Sequence, residues 1–147
     1  MCATYFLLFA LLPRFFAQKI TTPLGNPFLS ILYIVLFSIL AYGTSLSIQD
    51  LELSNRILHI LGGGFFGFLT CFFATRDSGV RINKFQFFVL SALIVLALGV
   101  ANELLEFLLQ SYAGIISAAT PTDTWFDLAS NTIGIGIASI FLVQLHK

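Results

Sequence analysis

The stretch at residues 85–109, FQFFVLSALIVLALGVANELLEFLL, decides the fold class of this chain. A helix needs about 20 consecutive, mostly apolar residues to cross a bilayer, and this stretch is longer, with acids only near its end. Residues 28–48, 57–74 and 123–145 form three further apolar segments of this kind. The sequence therefore predicts an all-α membrane helix bundle with about four transmembrane helices.

The composition also indicates a membrane protein. Hydrophobic residues make up 58% of the 147 positions and charged residues 10%, whereas a soluble domain has about 25% charged residues. Seven basic and seven acidic residues cancel, so no basic surface suggests a nucleic-acid partner. Cys2 and Cys71 lie too far apart to suggest a disulfide framework or a metal-binding pair. Membrane lipids are the predicted partners, and the oligomeric state is left open.

The N-terminal run, MCATYFLLFALL, is short for a membrane span, although a fifth span is the alternative, and it is followed by Pro13, Arg14 and Lys19. A short apolar helix flanked by cations favours an interfacial or half-inserted position. No basic residue precedes the run and no clear small-residue cleavage pattern follows it, so we do not interpret it as a secretory signal. We expect one membrane domain over residues 1–147, with an interfacial segment at 1–27 and the helix bundle at 28–147.

The cations occupy alternate connections between the predicted spans. They precede the first span, separate the second from the third, and end the chain, whereas the other two connections carry an acidic excess or no charge. Because cytoplasmic loops are enriched in lysine and arginine, this pattern predicts that both termini are cytoplasmic. Arg56 is the exception, in the acidic first connection, and the six cations that follow the pattern are Arg14, Lys19, Arg76, Arg81, Lys84 and Lys147.

Ionisable side chains collect at the opposite, outward-facing end of the predicted bundle. His59 lies at the outer start of the second span, and Glu103 and Glu106 lie near the outer end of the third. Asp123 and Asp127 lie at the outer start of the fourth span. Three separate helices therefore bring titratable groups to one membrane face.

Helical phase places these groups on stripes. An unpaired charge at mid-membrane depth costs at least about 2.5–3.5 kcal/mol, so we expect the stripes to face each other. Glycines at Gly63-x-x-x-Gly67 and in NTIGIGIAS allow close approach of the helix backbones. At about 100° per residue, the stripes are Gly99, Glu103, Glu106 and Gln110; Asp123, Asp127, Asn131 and Gly134; and His59, Gly63 and Phe66.

Several of these residues also have a purely structural interpretation. His59 is equally explained as an interfacial histidine, and Asp123 as a helix cap that meets the helix dipole. Arg56 fits either a cation of the interfacial belt or the counter-charge of the acidic cluster. Capping does not explain Asp127 or Asn131, which lie one and two turns further into the helix.

Three blocks together resemble a known family: NRILHILGGGFFG at 55–67, NELLEF at 102–107 and DTWFDLASNTIGIGIAS at 123–139. They resemble the VanZ-like group of small bacterial integral membrane proteins, and its YjdF-type branch most closely. Asn55 replaces the acid that often opens the first block, and the arginine between the second and third blocks of VanZ is missing. The matched positions are Arg56, His59, Gly63, Glu103, Glu106, Asp123, Thr124, Asp127, Asn131 and Gly134.

The resemblance implies a protein of the bacterial inner membrane that faces the cell envelope. VanZ is associated with resistance to a lipid-bearing glycopeptide antibiotic, so the resemblance suggests a link to tolerance of such compounds. The wider group has no settled biochemistry, and the resemblance implies no reaction.

The residues support a polar pocket as the first functional hypothesis. His59, Glu103 and Asp127 offer imidazole and carboxylate ligands for a divalent cation, which would hold a lipid or other envelope headgroup. The same three residues with Glu106 are candidates for acid/base catalysis, because close carboxylates share protons. The candidate ligand-binding residues around them are Arg56, Asp123 and Asn131.

Two further hypotheses belong to other classes. One is an ion- or proton-coupled transporter, although the chain is small and no acid lies in the inner half of any predicted span. The other is a non-enzymatic envelope protein that binds a partner and uses its polar residues for packing.

Overall fold

The computed structural model describes residues 1–18, 26–114 and 121–146. The predicted cations Lys19 and Lys147 lie outside these residues. The helices, in chain order, are α1 (Cys2–Phe15), α2 (Pro27–Leu46), α3 (Leu51–Leu58), a π-helix named π1 (His59–Phe65), α4 (Phe66–Ser78), α5 (Lys84–Ala113) and α6 (Pro121–Leu145).

Four helices within the described residues are long and apolar enough to cross a membrane: Pro27–Leu46, Leu51–Ser78, Lys84–Ala113 and Thr122–Leu145. Many of their large apolar side chains are exposed, among them Phe85, Leu104 and Ile140, which suits a surface that contacts lipid. α1 is a shorter apolar helix. The predicted fold class, a helical membrane bundle with a short N-terminal helix, is confirmed.

Local sequence signals explain where the helices begin and end. The Asn26 side chain accepts a hydrogen bond from the amide of Phe28, and Asp50 does the same for Leu53. Asn83 and Gln86 form a reciprocal capping box at the start of α5, which satisfies two amide groups that a helix N-terminus leaves unpaired.

The second predicted span differs most from its expected form. It was expected at 57–74, but α3, π1 and α4 form one continuous rod over 51–78. The wider i→i+5 turns of π1 shift the phase that a regular α-helix would have. Phe66 therefore packs on Phe37 of α2 with ring centroids 5.2 Å apart, and the predicted common face of His59 and Phe66 is wrong.

The N-terminal helix is packed against the bundle. Tyr5, Leu8 and Leu12 of α1 are buried, and α4 is the helix that α1 contacts most. The backbone of Arg81 holds the Gln18 side chain through two hydrogen bonds of 2.8 and 2.9 Å. The interfacial position of residues 1–27 stays a prediction.

The polar residues define two ends of the bundle. We call the end with Arg56, His59, Glu103, Asp123 and Asp127 the acidic end, and the end with Arg76, Arg81 and Lys84 the basic end.

The C-terminal part of α6 lies at the basic end, because Lys84 Nζ donates to the Gln144 carbonyl at 3.1 Å and His146 Nε2 to the Ile82 carbonyl at 3.0 Å. Met1 lies at the other end of α1 from Gln18, and it lines a cavity beside His59. Met1 and the end of α6 therefore lie toward opposite ends of the bundle, which disagrees with the predicted placement of both termini on one face. Which end faces the cytoplasm stays a prediction.

Candidate functional site

The acidic end is built on an unusually close approach of π1 to α6. A methyl group on Gly64 would lie 2.2 Å from the Asn131 carbonyl oxygen and 2.7 Å from the Gly134 Cα. A methyl group on Gly134 would lie 2.1 Å from the Ile60 carbonyl oxygen. Only glycine allows two helix backbones to pack this closely. The predicted Gly-x-x-x-Gly pair faces two different helices instead, since Gly63 meets Asn131 and Gly67 meets Val95 of α5.

Asp127 is the centre of the polar cluster. Its side chain is 4% exposed, and Arg56 forms an ion pair with its Oδ1. The Asn55 amide donates to Oδ1 and Oδ2 at 3.0 and 3.2 Å. The second oxygen, Oδ2, also faces His59 Nε2 at 3.5 Å. Asp127 therefore keeps one oxygen on the histidine side while Arg56 offsets its charge.

Arg56 joins both aspartates. One of its nitrogens pairs with Asp123 Oδ1 at 2.5 Å, and its guanidinium lies over the Phe126 ring, 4.8 Å from the centroid. α6 begins at Pro121, so Asp123 lies within the first turn and is not the N-cap. Of the two interpretations of Arg56, the structure agrees with the counter-charge of the acidic cluster.

Glu103 lies in the same cluster without a counter-charge. It is 7% exposed. The Thr124 hydroxyl approaches this carboxylate, but among the described residues no donor meets hydrogen-bond geometry with either carboxylate oxygen. Ligand atoms of His59, Glu103 and Asp127 all lie within 4.8 Å of one another. A buried, unpartnered carboxylate costs several kcal/mol when ionised, so this position requires either a proton or a cation.

The three side chains have the composition of a metal-binding group. Nitrogen and oxygen ligands lie about 2.0–2.2 Å from zinc, which places tetrahedral ligands about 3.4 Å from one another. The His59–Asp127 separation of 3.5 Å already fits this spacing. The other separations are at most 4.8 Å, so tetrahedral geometry would require them to shorten by up to about 1.4 Å.

A cavity of about 450 Å³ adjoins the cluster between π1 and α5. Glycines form part of its wall, and its polar lining residues are Asn55, His59, Asn102, Glu106 and Asn131. The Asn131 amide is clasped between Gly63 and Gly99, where an added methyl group would lie 1.9 Å from Oδ1 and 2.9 Å from Nδ2. Asn131 is buried, and no described residue donates to its Oδ1. This arrangement fixes the amide at the cavity wall.

Glu106 and Gln110 lie on the outer part of the predicted stripe. Glu106 accepts a 2.7 Å hydrogen bond from the Asn102 amide and also lines the cavity, but it is not one of the three clustered ligands. Gln110 is exposed. The structure therefore brings His59, Glu103 and Asp127 together, with Arg56, Asp123 and Asn131 around them, and leaves Glu106 at the periphery. Their catalytic and binding roles stay predictions.

Sequence reasoning missed a second polar cluster, at the basic end. Asp77 is fully buried in α4, where it accepts hydrogen bonds from Tyr5 Oη at 2.7 Å and Arg76 Nε at 2.9 Å. Arg76 also donates to Ser30 Oγ of α2 at 3.0 Å. Burial raises the pKa of Tyr5 above its usual range, and the hydrogen bond to Asp77 and its charge add to the shift. The phenol therefore stays protonated and donates to Asp77.

Asp77 lies inside a helix, where the sequence predicts a connection. Residues 75–84 carry three cations, which favours a loop and therefore no acid in the inner half of a span. α4 instead continues to Ser78 and ends at Gly79, whose φ of 69° is left-handed. Glycine at this position is a common signal for a helix C-terminus. Gly79 therefore indicates in the sequence that the helix continues past Asp77.

The fold and the polar cluster define a helical integral membrane protein with buried acids toward both ends of its bundle. The chain belongs to the family described as "Predicted membrane protein (DUF2238)", whose sequence model matches residues 1–147. No curated protein and no solved structure matches it.

Proposed function

We propose that this protein binds a divalent transition cation, such as Zn²⁺ or Mn²⁺, at His59, Glu103 and Asp127. The observation that supports this most is Glu103, a buried carboxylate without a hydrogen-bond partner among the described residues, whose ligand atom lies within 4.8 Å of those of a histidine and an aspartate. One imidazole and two carboxylates suit zinc or manganese better than an all-oxygen site would.

The surroundings support a role in ligand capture. Of the three ligands, His59 lines the cavity of about 450 Å³, so the cation would lie beside this cavity, and the Asn131 amide on the cavity wall would hold a polar group of the ligand. A metal ion with open positions binds phosphate or hydroxyl oxygens and polarises them. The ligand class that fits this position is the phosphate or carbohydrate headgroup of an envelope amphiphile.

The proposed setting follows from the sequence. Cations gather at the basic end, so the positive-inside rule assigns that end to the cytoplasm and the acidic end to the outer face. The three motif blocks support placing the chain in the VanZ-like group, near its YjdF-type branch, in the bacterial inner membrane. A part in tolerance of lipid-bearing glycopeptides is the corresponding physiological proposal.

Metal titration of the purified protein tests the cation site. Isothermal titration with Zn²⁺ or Mn²⁺ should give one site per chain, and Glu103→Gln should weaken it at least about tenfold, a loss of about 1.4 kcal/mol. Glu52→Gln is the matched control, because Glu52 is an exposed acid of α3 at the same end. Equal affinity of the wild type and both variants would refute the site.

A stability measurement separates loss of the site from loss of the fold. Without metal, Glu103→Gln removes a buried ionisable group that lacks a partner, so its unfolding temperature should equal or exceed that of the wild type. Added Zn²⁺ should raise the unfolding temperature of the wild type and leave that of the variant unchanged. A large destabilisation of the metal-free variant would indicate a packing role for Glu103 instead.

Ion- or proton-coupled transport is the second candidate function, and one observation favours it. Asp77 is a fully buried acid at the basic end, so carboxylates occur at both ends of the bundle, as a relay across a membrane requires. Proteoliposomes with an internal pH dye test this candidate. A proton flux that Asp77→Asn abolishes would support transport, and no flux above that of empty liposomes would exclude it.

A further inference from the structure

A second cavity, of about 720 Å³, lies at the basic end, away from the proposed cation site. Its walls come from the end of α4, the connection at residues 79–83, the first turns of α5 and the end of α6. The lining residues are Phe72, Thr75, Arg76, Val80, Arg81, Ile82, Asn83, Gln86, Leu145 and His146.

The charges around this cavity favour an anion. Arg76 is compensated by Asp77, its ion-pair partner at 2.9 Å. Arg81 and Lys84 have no ion-pair partner among the described residues. Within the described part of the chain, the charges of Arg81 and Lys84 therefore remain uncompensated, and Arg81 lines the cavity whereas Lys84 does not.

The capping box of α5 supplies neutral donors at the cavity wall. Asn83 uses its side-chain oxygen to accept from the Gln86 amide, and Gln86 uses its own to accept from the Asn83 amide. Both side-chain nitrogens keep their N–H groups for other acceptors. Within the described part of the chain, neither nitrogen has a protein acceptor that would compete with a ligand.

The backbone that carries Arg81 is held independently of its side chain. The Gln18 side chain donates to the Arg81 carbonyl and accepts from the Arg81 amide. The guanidinium is therefore presented at the cavity from a fixed backbone position. Phe72, Val80 and Leu145 complete the lining with apolar surface.

We propose that this cavity binds the phosphate headgroup of an anionic phospholipid. The guanidinium of Arg81 and the amide groups of Asn83 and Gln86 would bind the phosphate oxygens, and the apolar wall would contact the first carbons of the lipid chains. Basic pockets between transmembrane helices at the cytoplasmic side are suited to anionic lipid headgroups. This site is independent of the cation site at the acidic end.

Native mass spectrometry of the protein released from nanodiscs tests the proposal. The wild type should retain phosphatidylglycerol over phosphatidylcholine by about fivefold or more, the factor that one basic side chain contributes near an anionic surface. Arg81→Gln should remove most of this preference. Lys84→Gln is the matched control, because Lys84 is a cation at the same end that lies outside the cavity lining and should keep it.

A second variant tests the cavity without changing charge. Leu145→Trp enlarges an exposed side chain at the cavity wall, so it should also lose the preference while its unfolding temperature in phosphatidylcholine nanodiscs stays unchanged. Saturating inorganic phosphate should not displace the retained lipid, because the apolar wall contributes to binding. The proposal is overturned by any of four results: no lipid preference in the wild type, equal losses in Arg81→Gln and Lys84→Gln, full retention in Leu145→Trp, or displacement by phosphate alone.

Discussion

Gly64→Ala should separate π1 from α6 and destabilise the whole acidic end. The added methyl group would lie 2.2 Å from the Asn131 carbonyl oxygen, whereas ordinary contact begins near 3.4 Å, so the helices must move apart by about 1.2 Å. The nearest atoms are all backbone and cannot rotate away. Overpacking of this kind costs about 1–3 kcal/mol.

Thermal unfolding in detergent measures this cost, and Trp125, the single tryptophan, provides the fluorescence signal. Gly136→Ala is the matched control on α6, because nothing lies within 4 Å of the position of its added methyl group. The control should be neutral or slightly stabilising, since alanine favours a helix over glycine by about 1 kcal/mol. The close packing of π1 on α6 would be refuted if Gly64→Ala were as stable as Gly136→Ala.

Two further substitutions probe the two polar clusters. Tyr5→Phe removes the hydroxyl that donates to the buried Asp77 and should lower the free energy of unfolding by about 1–3 kcal/mol. Tyr33→Phe, at a half-exposed ring, is the control and should be nearly neutral. Equal unfolding temperatures for the two variants would contradict the role of Tyr5. Gly63→Ala should displace the Asn131 amide and thereby destabilise the fold. In an Asn131→Ala background this loss of unfolding free energy should be smaller by at least about 0.5 kcal/mol. Additive effects of the two substitutions in thermal unfolding would contradict the contact.

The sequence predicted the features that depend on length and hydropathy. Residues 85–109 form an apolar run longer than a bilayer requires. The helix in the structure, 84–113, is only one residue longer at its start and four residues longer at its end. The polar groups at one end were also predictable, because an uncompensated charge in lipid is costly and Glu103, Asp127 and Asn131 share the buried side of their helices.

The sequence did not predict the contacts that depend on local departures from α-helical geometry. Three consecutive glycines allow π1 to form, and its wider turns shift the phase of every residue that follows. The Gly64–Gly134 contact and the packing of Phe66 on α2 both depend on that shift. A sequence pattern interpreted at 100° per residue assumes a regular α-helix and therefore does not predict this shift.

Asn55 and Asp77 were missed for different reasons. In the sequence, Asn55 differs from the motif only by replacing an acid, yet its amide donates two hydrogen bonds to Asp127, which an acid at this position would repel. Asp77 was assigned to a connection because cations flank it, and its partner Tyr5 is distant in sequence. The hydrogen bond between Tyr5 and Asp77 joins residues far apart in the sequence, so it can be identified only once α1 is known to pack against α4.

The position of a bound metal tests the central claim most directly. Crystals soaked in Zn²⁺ and measured at the zinc absorption edge should show one anomalous peak at the acidic end. We predict that His59 Nε2 and carboxylate oxygens of Glu103 and Asp127 lie about 2.0–2.2 Å from the peak. A Zn²⁺ peak elsewhere, or no peak with the Glu103 carboxylate still apart from His59 and Asp127, would contradict the proposed cation site.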